Sequence, residues 1–349
     1  MVRSMGLTRG RALPLLLVAS LLGLFALAAG GCGDDDDGGG GGGGETVELG
    51  VFLASAANTY WTAALQGAED AAKKQGNVEI TTFDGEFKTG KQVNQLRDAL
   101  ISKRFDAWFI GPNDGGPLTP TIKQAIAQDV KVGCTLVPCG PDIRSTEIQI
   151  PGQVAFAGVS FYKNGQGLGK LVSQGCQGID PCKVAWLPGL PELPLERART
   201  DGLNSIIEKD SNIDLVTTQA GGYLAAPALK ATQNILQAQP DLDVIVSSGD
   251  QMIAGAYRAA KLAGYKDGEI KMYGNGCTIE AKKLVLDGKQ TGCTVYQPRT
   301  EARRVVDLLI RAVRGEDVEE RVIDPLDFSP IGDIGTEENL GEFKPEFHS

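Results

Sequence analysis

Two periodicities alternate along this chain. Short apolar runs of strand length are followed by longer stretches in which apolar residues recur at helical spacing. Strands are predicted over residues 47–54, 78–83, 106–110 and 130–137, and helices over 60–74, 89–103 and 119–128. In the first helix Leu65, Ala68, Ala71 and Ala72 fall on one face. A βαβαβαβ series of this kind is the pattern of a doubly wound parallel sheet, the α/β class. After a Pro- and Gly-rich passage at 138–152 the alternation resumes. Strands are predicted at 154–159, 184–187, 215–219, 244–248, 270–273 and 293–296, and helices at 165–174, 196–209, 226–239, 252–263 and 279–287, with a last long helix at 300–314. Two such units in tandem predict two lobes with a cleft between them. Ligands in these sheets lie beyond the carboxyl ends of the strands. Those positions hold Asn58, Tyr60 and Trp61, then Gly111 to Asp114, Gly189 and Pro191 with Glu196 and Arg199 beyond, Gly249 and Asp250, Asn275 and Gly276, and Tyr296 and Gln297.

The N-terminus follows neither periodicity. Arg3, Arg9 and Arg11 precede an almost wholly apolar run over 12–29, the layout of an export signal. The run ends in Ala28-Ala29-Gly30-Gly31 and then Cys32, which resembles the bacterial lipobox, with Ala29 where that motif usually has Leu. Residues 1–31 are therefore expected to be a lipoprotein signal peptide, and Cys32 to be lipidated and to become the new N-terminus. Ordinary secretion and an uncleaved anchor are the competing readings. The stretch 32–44, four Asp and then seven Gly after Cys32-Gly33, has nothing to bury and reads as a tether. The expected location is outside the cell membrane, lipid-anchored at its outer face or in the periplasm.

Composition narrows the function. A net charge of −10 makes a nucleic-acid partner an unsuitable reading. The only histidine, His348, stands near the C-terminus. That removes Ser-His-Asp and Cys-His nucleophile systems and His-rich zinc sites. No G-x-S-x-G elbow occurs. The run Gly165-Gln166-Gly167-Leu168-Gly169-Lys170 fails the phosphate-loop spacing, which needs Gly at Asn164 and Ser or Thr at Leu171, and reads better as a closely packed helix start. No enzyme activity, cofactor or metal site is expected. Apart from Cys32, six cysteines fall into three local pairs: Cys134 with Cys139, Cys176 with Cys182, and Cys277 with Cys293. Disulfides persist outside the cytosol and are the favoured reading. Free thiols and a Cys-rich metal site are the alternatives, the latter weakened by the absence of C-x-x-C.

Several segments resemble the ribose-binding type of periplasmic binding proteins, the solute-capturing subunits of ABC importers. They are VELGVFLASAANTYWTAALQGAEDAAKKQG, FDAWFIGPNDGGPLTPTIKQA, LERARTDGLNSII, SSGDQMIAGAYRAAKLAGY and GKQTGCTVYQP, in the family's order over residues 45 to about 332. The resemblance implies a periplasmic binding protein type I fold: two doubly wound parallel-sheet lobes joined by three hinge crossings. Lobe one would be 45–160 plus 298–322, lobe two 161–297 plus 323–340, and 341–349 a tail. It implies hinge closure around a small polar solute, a sugar or sugar-like compound, and delivery to an ABC permease in the membrane by a monomer.

By the same resemblance Asn58, Tyr60 and Trp61 contact the solute from lobe one, and Arg199 hydrogen-bonds its oxygens. Core packing at the helix start competes for Tyr60 and Trp61, and a surface salt bridge with Glu196 or Asp201 for Arg199. Asn113, Asn275 and Tyr296 are cleft candidates. Asp250 either binds hydroxyls or caps the helix that follows. The chain departs from the family at four places. Val137-Pro138 stand where ribose binders carry Asp-Arg, Gly111 and Gly249 replace Asn, and Asn275-Gly276 replace Phe-Asp. A pentose in the familiar pose is therefore not implied. A receptor that presents its solute to a membrane sensor kinase and a lipid-anchored α/β enzyme are the rival functions.

Overall fold

A computed structural model describes residues 45–318 and 321–349. The export signal, Cys32 and the Asp/Gly stretch lie outside the described residues.

The first sheet is built from β1 (Val47–Leu53), β2 (Val78–Asp84), β3 (Ala107–Ile110), β4 (Lys131–Thr135), β5 (Ala155–Ala157) and β11 (Val322–Ile323), in the order β11-β5-β4-β3-β1-β2. All its pairings are parallel. The second holds β6 (Cys182–Leu187), β7 (Ile213–Thr218), β8 (Val244–Ser247), β9 (Lys271–Gly276), β10 (Gly292–Val295) and β12 (Ile334–Thr336), in the order β12-β10-β9-β8-β6-β7. Only β12 runs antiparallel. Central strands such as β3 and β8 are buried throughout, as a sheet covered on both faces requires. The edge strands β2 and β7 are partly exposed and carry Thr, Asp and Glu between their apolar residues.

Helices cover both sheets: α1 (Thr59–Gln75), α2 (Thr89–Ser102), α3 (Gly115–Ala127) and α9 (Pro298–Val313) the first, and α4 (Phe161–Gly175), α5 (Pro194–Ile207), α6 (Ala225–Ala238), α7 (Asp250–Leu262) and α8 (Ile279–Leu286) the second. Two helices, α3 and α4, start a full turn earlier than the sequence pattern predicts. The Asp114 carboxylate accepts the Gly116 N–H at 3.1 Å and opens α3 through the Gly-Gly-Pro run, so the helix begins at Gly115 rather than at 119. Ser160 opens α4 in the same way at Phe161 rather than at 165. The glycines of α4 let α5 approach closely. A Cβ on Gly165 would lie 2.0 Å from the Arg199 carbonyl oxygen, and one on Gly202 2.1 Å from that of Tyr162. The glycine run is thus a helix seat, and it fixes the height of Arg199.

The chain passes between the sheets three times: at 158–160 between β5 and α4, at 296–297 between β10 and α9, and at 324–333 between β11 and β12. Ile323 still pairs with Ala157 in the first sheet, one residue beyond the expected crossing. Residues 341–349, expected as a tail, pack into both cores. Leu340 and Phe343 join Cys277, Val285 and Val295 of the second sheet, and Phe347 joins Tyr60 and Tyr296 of the first.

In each sheet the strand order reverses between its first and third strands, β1 and β3 in one and β6 and β8 in the other. That reversal opens a crevice at the carboxyl ends of the strands. The two crevices face each other.

Candidate functional site

The facing crevices enclose a cavity with about 560 Å³ of empty space, its mouth included. The first lobe supplies Ala54 and Asn58 from the loop after β1, Tyr60 and Trp61 from the start of α1, Phe87, and Pro112 and Asn113 from the loop after β3. The second supplies Leu193, Leu195, Arg199, Tyr223, Ser248, Gln251 and Asn275, with Tyr296 at the second crossing. Among these described residues no carboxylate lines the cavity. The lobes touch across it. The Asn58 side-chain amide donates to the Tyr223 carbonyl at 3.3 Å, and Gln251 Nε2 donates to Thr59 Oγ1 at 2.8 Å. The rings of Phe87 and Tyr223 stack 5.8 Å apart, and Arg144 pairs with Asp201 at the rim. This is a closed arrangement.

Arg199 is the centre of the second-lobe wall and is only 2% exposed. Its Nε–H donates to Asn164 Oδ1 at 2.8 Å, Nη1 to Glu196 and to the Tyr223 hydroxyl, and Nη2 to the Tyr296 hydroxyl at 3.3 Å. Glu196 is wholly buried, and its other oxygen accepts the Gly189 N–H at 2.9 Å. The pair with Glu196 is therefore a buried clamp and not a surface salt bridge, while Asp201 turns outward to Arg144. Phe161 lies under the guanidinium, 5.3 Å from its carbon. Burial pushes the Tyr223 hydroxyl up to about 12, so it stays a neutral donor. With its charge matched by Glu196, Arg199 offers the cavity its one remaining Nη2 N–H without a net positive charge.

Two cavity side chains have unpartnered polar atoms. Asn113 Oδ1 and Ser248 Oγ are buried with no hydrogen-bond partner among the described residues. Ser248 sits beside the Tyr223 hydroxyl without a bond of proper geometry. Buried polar atoms are almost always satisfied, so both have capacity for a solute. Asn113 is held in place: Gln92, fully buried in α2, accepts the Asn113 N–H at 2.9 Å and donates to the Gly111 carbonyl at 2.8 Å.

The other candidates fall out as follows. Asn58 is the N-cap of α1, its Oδ1 accepting the Tyr60 N–H at 2.9 Å. Tyr60 and Trp61 line the cavity and are core residues at once. The Tyr60 hydroxyl donates to Glu301 at 2.8 Å, and Trp61 lies over Gly111. Asn275 lines the cavity, but its amide is used internally by Ser248, Thr294 and Asn164, which makes it a support for the Arg199 clamp. Asp250 is not brought to the cavity. It caps no helix through its side chain, since Gly249 is the N-cap of α7. Its carboxylate instead accepts the Thr278 N–H at 2.9 Å and a Gln290 N–H at 3.2 Å, and burial raises it to about 6. The six cysteines come together in the expected local pairs, with Cα separations of 6.0, 5.6 and 5.2 Å.

Sequence reading missed Tyr223, Ser248, Gln251, Phe87 and Phe347. Ser248 and Gln251 flank the Gly249-Asp250 pair named beyond β8, while Tyr223 and Phe87 stand beyond β7 and β2, strand ends at which no residue was named. Phe347 carries no such signal.

Glycines seat the rings. A Cβ on Gly111 would lie 2.0 Å from the Trp61 ring, and one on Gly189 2.2 Å from the Tyr223 ring. Gly111→Ala is expected to displace Trp61, to cost about 1–3 kcal/mol of stability as an overpacked core site, and to weaken solute capture. Urea denaturation beside a binding titration measures both.

Two parallel-sheet lobes closed by three crossings over a polar and aromatic cavity define a hinge-type binding protein. The chain belongs to the periplasmic binding protein domain family, whose profile matches residues 49–317. It is 25% identical over 286 residues to the ribose import binding protein of Bacillus subtilis, covering 80% of this chain and 85% of that one. It is 26% identical over 292 residues to the D-allose-binding periplasmic protein of Escherichia coli, covering 81% and 88%. Among solved structures, an ABC transporter solute binding protein from Mycobacterium smegmatis with bound glycerol superposes with a TM-score of 0.72 at 24% identity, covering 87% of this chain and 99% of that chain. The Caulobacter myo-inositol binding protein bound to myo-inositol gives 0.72 at 20%, covering 85% and 96%.

Proposed function

We propose that this protein is the solute-capturing subunit of an ABC importer, and that it closes around one small uncharged polyhydroxy compound, a sugar or cyclic polyol. The observation that carries this reading is the closed cavity itself. Donors from Arg199 and Tyr296 stand on one wall, where the Tyr223 hydroxyl is spent on Glu196, and unpartnered Asn113 and Ser248 atoms and flat rings line the rest. Rings pack on the C–H faces of such solutes while amides and hydroxyls serve their OH groups. The Arg199–Glu196 pairing favours a neutral solute over an anion. The relatives' names, which include ribose and D-allose, point to the same chemical class.

In this reading the lobes, 45–160 with 298–323 and 161–297 with 324–340, rock as bodies about the three crossings. The six paired cysteines are disulfides, so the non-reduced protein is expected to carry no free thiol among them. Cys32 anchors the chain to the outer membrane face through lipid. Cys32→Ser is expected to release it into the aqueous fraction on detergent partition. The protein acts as a monomer and needs no cofactor.

The functional test is a thermal-shift and calorimetric screen of residues 45–349, which fall in one compact unit, against pentoses, hexoses, furanose sugars, inositols and glycerol. One compound class is expected to raise Tm in a concentration-dependent way. Turnover of a compound with no stable complex would overturn the reading.

A further inference from the structure

We propose that the C-terminal strap, residues 345–349, forms part of the solute site, and that Phe347 selects solutes presenting an apolar C–H or deoxy face at that wall. The proposal rests on the reading of the cleft as a site for a small uncharged solute. Four consecutive residues tie the strap to both lobes. The Glu346 carboxylate accepts the Thr300 N–H at 3.0 Å and the Thr300 hydroxyl at the start of α9, on the first lobe. The Phe347 carbonyl accepts the Ile279 N–H at 2.9 Å at the start of α8, on the second. Glu280 of α8 then meets His348 Nδ1 and the Ser349 N–H, each at 2.7 Å. The strap is thus a fourth, non-covalent link between the lobes, and it is complete when they are closed.

The side chain between these anchors points inward. Phe347 is 4% exposed, lines the cavity, and meets the Tyr60 ring edge-on at 5.9 Å. Its place is opened by Gly276, the last residue of β9. A Cβ there would lie 2.8 Å from Phe347 Cζ, and its φ of +135° is one that side-chain-bearing residues rarely adopt. The end of β9 therefore sends no side chain into this corner, and a ring from a segment far along the chain fills it. A ring accepts C–H surface and offers nothing to a hydroxyl, which would be stripped of water there without a partner. A single such apolar contact discriminates by about 10- to 100-fold.

Calorimetry on the full chain with matched probes tests this: D-galactose against D-fucose, L-mannose against L-rhamnose, and myo-inositol. The wild type is expected to prefer the deoxy member of a pair. Phe347→Ala is expected to shrink that preference by roughly tenfold. Phe347→Leu keeps an apolar anchor without the flat ring, and carries the comparison if the alanine variant melts before it can be titrated. A wild type that binds with an unchanged deoxy-to-hydroxy ratio in both variants overturns the role of Phe347 and leaves the solute reading standing. A wild type that binds none of these or any other neutral solute overturns that reading and the proposal with it.

Discussion

Arg199→Met is expected to abolish solute capture and to destabilise the second lobe. The guanidinium joins Asn164, Glu196, Tyr223 and Tyr296, which come from four different elements. Removing it leaves Glu196 charged, fully buried and held only by the Gly189 N–H and the Tyr223 hydroxyl. Breaking one side of a buried pair costs about 3–5 kcal/mol. A charge-assisted hydrogen bond to solute adds about 1.5–3 kcal/mol to binding, so affinity should drop by at least about tenfold for each one lost. The double change Arg199→Met with Glu196→Gln separates the two effects. Urea denaturation should show most of the stability restored, because no charge is left unpaired, while calorimetry should show binding still absent. Binding that survived the double change would remove Arg199 from the site.

The second large effect concerns Glu301 in the first turn of α9. It is wholly buried, accepts the Tyr60 hydroxyl at 2.8 Å and the Thr135 hydroxyl at 3.1 Å, and leaves Oε1 without a partner. Burial, reinforced by the negative charge of Glu346, outweighs those two bonds and pushes its carboxyl from 4.5 up to about 7. Because the folded value lies above the unfolded one, the folded state holds the proton more tightly. The stabilisation is fully present below about 4.5 and is lost as pH rises to about 7. The loss is up to about 3 kcal/mol across that window. Glu301→Gln mimics the protonated form and should flatten the slope, leaving the protein about 1–3 kcal/mol more stable than wild type at pH 8. Asp250, raised to about 6 by burial, contributes with the same sign at lower pH, so Asp250→Asn is the control that isolates the upper part of the window. Urea midpoints of the three proteins from pH 4 to pH 8 decide it. A wild-type stability that rose from pH 5 to pH 7 would contradict the assignment.

The sheets and the location of the cleft were legible in the sequence because they rest on local pattern. Buried parallel strands read as apolar runs, and every βα unit repeats the same alternation. Helix starts were less legible where glycine and proline crowd the first turn. There Asp114 and Ser160 set the boundaries through single hydrogen bonds that compete with low helix propensity. Within the site, Arg199 was found because its segment sits beyond a strand end and carries the family pattern. Asp250 satisfies the same rule, yet its side chain turns toward Thr278 and Gln290, a choice made by contacts from the N-cap of α8 and the turn before β10 that no local pattern encodes. Phe347 is the extreme case. Its role depends on an absent side chain at Gly276 and on a chain return of some seventy residues, so nothing near it in sequence marks it.

The seat of Trp61 over Gly111 also makes the molecule report on itself. The chain has three tryptophans. Trp108 and Trp186 are sealed in the separate cores of the two lobes, and only Trp61 lies on the cavity wall. Emission from Trp61 should therefore change in colour and intensity as a solute arrives and the cleft dries, against a constant background from the other two. Unlabelled protein in a stopped-flow fluorimeter would then give the opening and closing rates directly, with no dye attached to a surface that must meet a permease.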